Sequence, residues 1–118
     1  MDYYNSKKIK GTTVTAIRSK VEAALKAEGF GVLKLEKDYL PHLILGACNP
    51  VFADKALSVD QHISLMLPCN VTIRELEDQE VEVAVINPLE AMKPIDNPSI
   101  EGYAREVSDK LNQALENI

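Results

Sequence analysis

Residues 71–85, VTIRELEDQEVEVAV, decide the fold class of this chain. Val71 and Ile73 alternate with polar residues, and the three valines of the second half repeat that alternation after a polar turn. This is the period of strands that bury one face, with Thr72 and Arg74 on the other. The stretch therefore predicts a β-hairpin.

The first arm of this hairpin is expected to extend back to Ile63, with an interruption at Pro68. Because proline cannot donate to a strand ladder, a bulge or an edge position is predicted there. Four glutamates make the hairpin acidic, which is more typical of a solvated face than of an acid–base pair: Glu75, Glu77, Glu80 and Glu82.

Helical patterns occur in the sequence both before and after the hairpin. From Val14 the apolar residues recur at three- and four-residue spacing, which predicts an amphipathic helix over about 14–28 with Thr13 as N-cap and Gly29 closing it. A similar stripe follows Asn97-Pro98 and runs to Ile118. Two long helices are therefore expected.

Shorter elements complete the order. Strands are predicted over about 3–10, 30–35 and 42–48, and Asn49-Pro50 has the form of an N-cap and first residue of a helix of about two turns. The order strand, helix, two strands, short helix, two strands, helix suits an α+β fold, an antiparallel sheet with helices on one face. Asn87-Pro88 is expected to initiate a turn.

Composition excludes several classes. With 118 residues, 46% of them apolar and 26% charged, the chain is expected to fold as a single domain over 1–118. Its apolar runs are too short for a membrane span, and it starts with no signal-type segment, so a cytoplasmic location is expected. The net charge of −5 argues against nucleic-acid binding. The two cysteines are expected to be free thiols in a reducing cytosol.

The most specific local feature is a repeated word, Ala47-Cys48-Asn49-Pro50 and then Pro68-Cys69-Asn70. Cys48 precedes a predicted helix N-terminus, whose free N–H groups favour a thiolate, so Cys48 is the candidate nucleophile. The helix terminus alone makes only a modestly reactive thiol. Each cysteine is more readily explained as a small core side chain.

Activation of either thiol would need a partner. His42 lies six residues from Cys48, roughly 20 Å along a strand, and His62 is equally remote from Cys69. A Cys–His dyad must therefore form across strands or across a subunit interface. The same four residues lack the close ligand pairs of structural zinc. If a metal is bound, Cys48 and Cys69 are the first candidate ligands, and copper(I) is as credible as zinc.

Three words carry a family resemblance: Glu28-Gly29-Phe30-Gly31-Val32, Ile44-Leu45-Gly46-Ala47-Cys48-Asn49-Pro50 and Leu65-Met66-Leu67-Pro68-Cys69-Asn70-Val71. In them the chain resembles the domain-of-unknown-function family numbered 302. The resemblance implies a TATA-binding-protein-like α+β fold, with a curved antiparallel sheet of four to five strands and two long helices on one face. It also implies a homodimer, and it implies no established reaction. The segment from Leu33 to Leu43 is shorter than in the family pattern.

Two functions from different classes follow, with the cofactor unknown. The first is a homodimeric accessory module that binds a small molecule or a soft metal ion at the two Cys-Asn words, through Cys48, Asn49, Pro50, Pro68, Cys69 and Asn70. The alternative is a thiol-dependent redox protein or enzyme in which Cys48 is the reactive thiolate. A third interpretation makes both words structural, with capping asparagines and packed cysteines.

Overall fold

The structure, a computed structural model, describes residues 3–34, 42–77 and 79–118. In chain order its strands are β1 Tyr4–Lys10, β2 Gly31–Lys34, β3 His42–Cys48, β4 Cys69–Glu75 and β5 Glu80–Ile86. Its α-helices are α1 Val14–Ala27, α2 Pro50–Val59, α3 Pro88–Ala91 and α4 Pro98–Glu116. Short 3₁₀ helices cover Gln61–Met66 and Lys93–Ile95.

The strands form one antiparallel sheet in the order β1-β5-β4-β3-β2. The hairpin predicted from residues 71–85 is β4 and β5, in a register that places Val71 opposite Val85 and Ile73 opposite Val83. The α+β class and the five-stranded antiparallel sheet are therefore confirmed. The TATA-binding-protein-like detail stays a prediction.

The two long helices begin and end where the sequence indicates. The Thr13 side chain accepts a hydrogen bond from the Ala16 amide at 3.2 Å, and Gly29 follows α1 with a φ of +88°, which a side chain would strain. At the start of α4, the Asn97 side chain accepts from the Ser99 amide at 2.9 Å. No helix in the described ranges is long and apolar enough to span a bilayer.

The two faces of the sheet differ in what they meet. The inner face packs against α1 and α4 and carries the buried side chains Leu43, Leu45, Ala47, Cys69, Val71, Ile73, Val81, Val83 and Val85. The opposite face, called here the open face, presents the alternate residues. Its described members include Tyr4, Ser6, Lys8, Ile44, Cys48, Asn70, Thr72, Arg74, Glu82, Ala84 and Ile86.

The first arm of the hairpin was predicted to start too early. Residues 61–66 form a 3₁₀ helix instead of a strand, because the Asp60 carboxylate caps the His62 amide at 2.9 Å and Ile63 turns into the core. β4 starts only at Cys69, and it is the middle strand of the sheet. The predicted bulge or edge position at Pro68 is therefore wrong, since this proline precedes the ladder and removes no donor from it.

Two smaller predictions need correction, and one lies outside the described residues. α2 has ten residues and is longer than two turns, and Asn87-Pro88 opens the short helix α3 instead of a simple turn. Most of the shortened segment between Val32 and Leu43 falls outside the described residues.

Candidate functional site

The first Cys-Asn word is part of the framework. The Asn49 side chain accepts a hydrogen bond from the Phe52 amide at 3.2 Å, so it is the N-cap of α2. Pro50 occupies the first helical turn, where its missing N–H is not needed. Asn49 also lies 3.5 Å from the point where a β-carbon on Gly29 would stand. These contacts use the Asn49 side chain for the fold.

The two cysteines occupy opposite faces of the sheet. Cys69 is paired with Ala47 across β3 and β4, and both are buried on the inner face. Cys48 is the next residue after Ala47, so its side chain points to the open face, where it is half-buried. The two candidate metal ligands therefore lie on adjacent strands, with their side chains on opposite faces of the sheet.

The buried cysteine is held as a neutral thiol. Burial, and to a smaller extent the nearby Cys48, raises the pKa of Cys69 from its ordinary value of 9.0 to about 11. A raised pKa opposes thiolate formation, so Cys69 has the character of a core side chain. The interpretation of Cys69 as a packed residue agrees with its exposure of 4%.

The sheet register brings neither histidine opposite a cysteine. His62 is 90% exposed, with its Nδ1 3.4 Å from the Asp60 carboxylate. His42 begins β3 and pairs with Arg74, at the far end of the strand from Cys48. Among the described residues, no three His, Cys, Asp or Glu side chains are grouped to hold a metal ion.

The residues of the second Cys-Asn word line a groove. Two cavities, of about 350 and 360 Å³, adjoin on either side of Asn70 and Ile86, which line both of them. We call the first the sheet chamber, the second the helix chamber, and the pair the Asn70 groove. The Asn70 side chain is exposed and makes no hydrogen bond to any other described residue. Its amide is therefore free to contact a ligand.

The sheet chamber is polar along one wall. It lies on the open face and is lined by Tyr3, Tyr4, Asn70, Thr72, Arg74, Glu82, Ala84, Val85 and Ile86. Arg74 and Glu82 are directly opposite each other in the ladder, with Nη2 and Oε1 3.1 Å apart. The rings of Tyr3 and Tyr4 meet edge to face at 5.1 Å. Hydroxyl, amide and guanidinium groups thus line the same chamber.

The residues that line the helix chamber are mostly apolar in type. The chamber lies between the 3₁₀ helix and α3 and is lined by Leu65, Met66, Leu67, Pro68, Cys69, Asn70, Ile86, Pro88, Ala91 and Met92. Leu65 is 83% exposed and Met66 39% exposed, which is unusual for side chains of this size. Exposed apolar walls around a cavity are typical of a binding site.

A buried polar network fixes the outer wall of the helix chamber. The Ser108 hydroxyl on α4 donates to the Asn87 side chain at 2.9 Å and accepts from the Leu89 amide at 3.2 Å. Asn87 and Ser108 are both buried, so the network anchors α3 at a defined position against α4. The chamber is thereby bounded by a rigid wall.

Sequence reasoning found Pro68, Cys69 and Asn70 but missed the other groove residues. The alternation in β4 and β5 placed Thr72 and Arg74 on the face away from the core, which was a usable signal. Glu82 was assigned to a solvated acidic surface, whereas its side chain is only 18% exposed and paired with Arg74. The apolar Leu65 and Met66 were assigned to a strand.

The fold and the site define a class of small α+β proteins whose sheet has one helix-covered face and one grooved face. The family model described as "Domain of unknown function DUF302" matches residues 5–118. The chain belongs to this family. Comparison with curated proteins gives no match.

A solved structure shows the same fold. The crystal structure of the uncharacterized conserved protein DUF302 from Bacillus stearothermophilus matches with a TM-score of 0.85. The alignment covers 99% of this chain and 98% of that chain, at 19% sequence identity. At this identity the likeness supports the fold and carries no information on a ligand.

Proposed function

We propose that this chain is a small-molecule-binding module whose ligand occupies the Asn70 groove. One observation carries the proposal: an amide without a hydrogen-bond partner among the described residues lies where two cavities adjoin. Each cavity falls within the roughly 300–1,000 Å³ of ordinary small-molecule sites. Of the six residues predicted from the two Cys-Asn words, Pro68, Cys69 and Asn70 line this site.

The composition of the groove supports a ligand more than a reaction. Small-molecule sites combine mostly apolar walls with a few polar groups that fix orientation. Leu65, Met66 and Met92 supply apolar walls, while Asn70 and Thr72 supply hydrogen-bonding groups. The soft-metal version of the proposal has less support, because the thiols of Cys48 and Cys69 lie on opposite faces of the sheet.

We also propose that the chain forms a homodimer through the open face. Tyr3 is 69% and Tyr4 40% exposed at its rim, whereas the edge strand β1 carries Lys8 and Lys10, whose charges oppose edge-to-edge pairing. A partner lying across this face would close the sheet chamber over a ligand. Sedimentation equilibrium is expected to show a dimer, and a monomer for Tyr4→Glu.

The thiol-dependent alternative has one supporting observation. Cys48 is half-buried on the open face and lies immediately before Asn49, the N-cap of α2. The alternative requires that iodoacetamide modifies Cys48 in the folded protein faster than it modifies a free cysteine peptide. An ordinary or slower rate would remove this support.

The binding proposal is tested by filling the groove. Ala84 lies on the floor of the sheet chamber and outside the core, so Ala84→Phe is expected to fold and to occupy the space of a ligand. Decanol serves as the probe, with affinity measured by titration of ¹⁵N-labelled protein. Filling the chamber is expected to weaken binding at least about tenfold, since each buried methylene contributes about 0.8 kcal/mol.

Ala23→Phe is the matched control, because Ala23 is exposed on α1, away from the groove. This variant is expected to bind decanol as the wild type does. If the wild-type protein binds neither decanol nor its carboxylate analogue decanoate, or if decanol binds Ala84→Phe with unchanged affinity, the Asn70 groove is not the ligand site.

A further inference from the structure

A row of charged side chains, two of which line the sheet chamber, crosses the open face at the polar end of the Asn70 groove. The register aligns Lys8, Glu82 and Arg74 in one row across three strands, all on the open face. This row holds two cations and one anion on a chain whose net charge is −5. A local positive excess on an acidic protein favours an anionic ligand group.

The Arg74 guanidinium has N–H donors that no other described residue uses. The group carries five N–H donors, and one of them is used by the Glu82 carboxylate at 3.1 Å. Arg74 is the more exposed partner of this pair, at 44% against 18% for Glu82, and it lines the sheet chamber. The guanidinium is therefore fixed in place by Glu82 and still able to bind a second carboxylate, a geometry to which its planar fork is suited.

The opposite end of the groove is lined mainly by residues with apolar side chains. Asn70, Thr72 and Arg74 follow one face of β4, so about 13 Å separates Asn70 from Arg74 at roughly 3.3 Å per residue. Beyond Asn70 the groove continues between Leu65, Met66 and Met92. A ligand that fills both chambers must therefore carry its charge at one end and a long apolar body at the other.

We propose that the Asn70 groove binds an amphipathic carboxylate, a conclusion that rests on the small-molecule function proposed above. The carboxylate pairs with Arg74 beside Thr72, and the apolar chain passes over Ala84 and Ile86, past the Asn70 amide, into the helix chamber. Glu82 positions the guanidinium and, as a neighbouring anion, limits the affinity.

The inference is tested by comparing decanoate with decanol, which share a chain and differ in the charged end. Decanoate is expected to bind the wild type about tenfold more tightly, the effect of one charge-assisted hydrogen bond. Arg74→Met is expected to remove this preference, so that the ratio of decanoate to decanol affinity falls to about one. Glu82→Gln, which removes the competing anion, is expected to tighten decanoate binding about threefold.

A double variant keeps the test valid if Arg74→Met destabilises the fold by leaving Glu82 unpaired. Arg74→Met with Glu82→Gln has no net charge change at the pair, and it is expected to bind decanoate and decanol alike. Arg105→Met is the matched control, since Arg105 is an exposed arginine on α4 that pairs with Glu101. It is expected to keep the full preference for decanoate.

The outcomes separate this inference from the function on which it rests. If neither probe binds, the small-molecule function fails and the inference fails with it. If both bind equally to the wild type, the groove is a ligand site but the carboxylate inference is overturned. If decanoate instead binds only as it dissociates a wild-type dimer, the second copy fills the groove and does not close it over a ligand, and the inference is also overturned.

Discussion

The two Cys-Asn words share the same residue pair but place it differently relative to the sheet. In the first, Cys48 faces the open side of the sheet and Asn49 caps a helix. In the second, Cys69 is buried in the core and Asn70 is exposed in the groove. The first word ends a strand and the second begins one, so the side-chain alternation is reversed between them.

This comparison shows that a residue pair has no fixed role outside its element. After Cys48 the chain turns into α2, and the asparagine meets free helix N–H groups that its oxygen can accept. After Cys69 the chain continues as β4, and the asparagine points away from the core. In the proposed function, Pro68, Cys69 and Asn70 are the members of the six predicted residues that line the groove.

The largest predicted difference between the two words is in how their cysteines make stability depend on pH. Because burial raises the pKa of Cys69 to about 11, the folded state holds its proton more tightly than the unfolded state does. The stabilisation is present below about pH 9 and is lost as the pH rises toward about 11. The difference of two pKa units corresponds to about 3 kcal/mol in the free energy of unfolding.

Urea denaturation at several pH values checks this prediction. The loss between about pH 9 and pH 11 is expected to be smaller by about 3 kcal/mol in Cys69→Ala, whatever that variant costs at neutral pH. Cys48→Ala is the control, and it is expected to retain most of the wild-type pH dependence. Equal slopes for Cys69→Ala and wild type would show that Cys69 is not a buried thiol.

The two asparagines are expected to differ by a smaller amount in their contribution to stability. Asn49→Ala removes the N-cap of α2 and is expected to cost about 1 kcal/mol of stability. Asn70→Ala removes an exposed side chain and is expected to change stability by less than about 0.5 kcal/mol. Decanol affinity is expected to weaken for Asn70→Ala and to stay unchanged for Asn49→Ala. A larger stability loss for Asn70→Ala than for Asn49→Ala would contradict the assigned roles.

The sequence supported the framework better than the site. Helix spacing predicted α1 and α4, and strand alternation predicted β4 and β5, because these patterns follow from burying one side of each element. Residues 63–66 were mistaken for a strand, since short apolar runs fit a helical turn equally well. A cap at Asp60 was the local signal for the correct structure.

The groove depends on contacts between distant segments. Leu65 and Met92 meet around one cavity only after the sheet, the 3₁₀ helix and α3 have packed. Similarly, the pairing of Arg74 with Glu82 follows from the register of β4 and β5, which the hairpin prediction did not specify residue by residue. Local periodicity could show which face each residue occupies, but not that the open face is grooved.

The most direct test of the assignment is a single NMR titration that observes both asparagines. Their side-chain amide signals are assigned with Asn49→Ala and Asn70→Ala, and decanol is added to the ¹⁵N-labelled wild type. We predict that the Asn70 side-chain signals shift in proportion to bound decanol while those of Asn49 stay in place. Shifts confined to Asn49, or no shift at Asn70 when decanol is bound, would contradict the account.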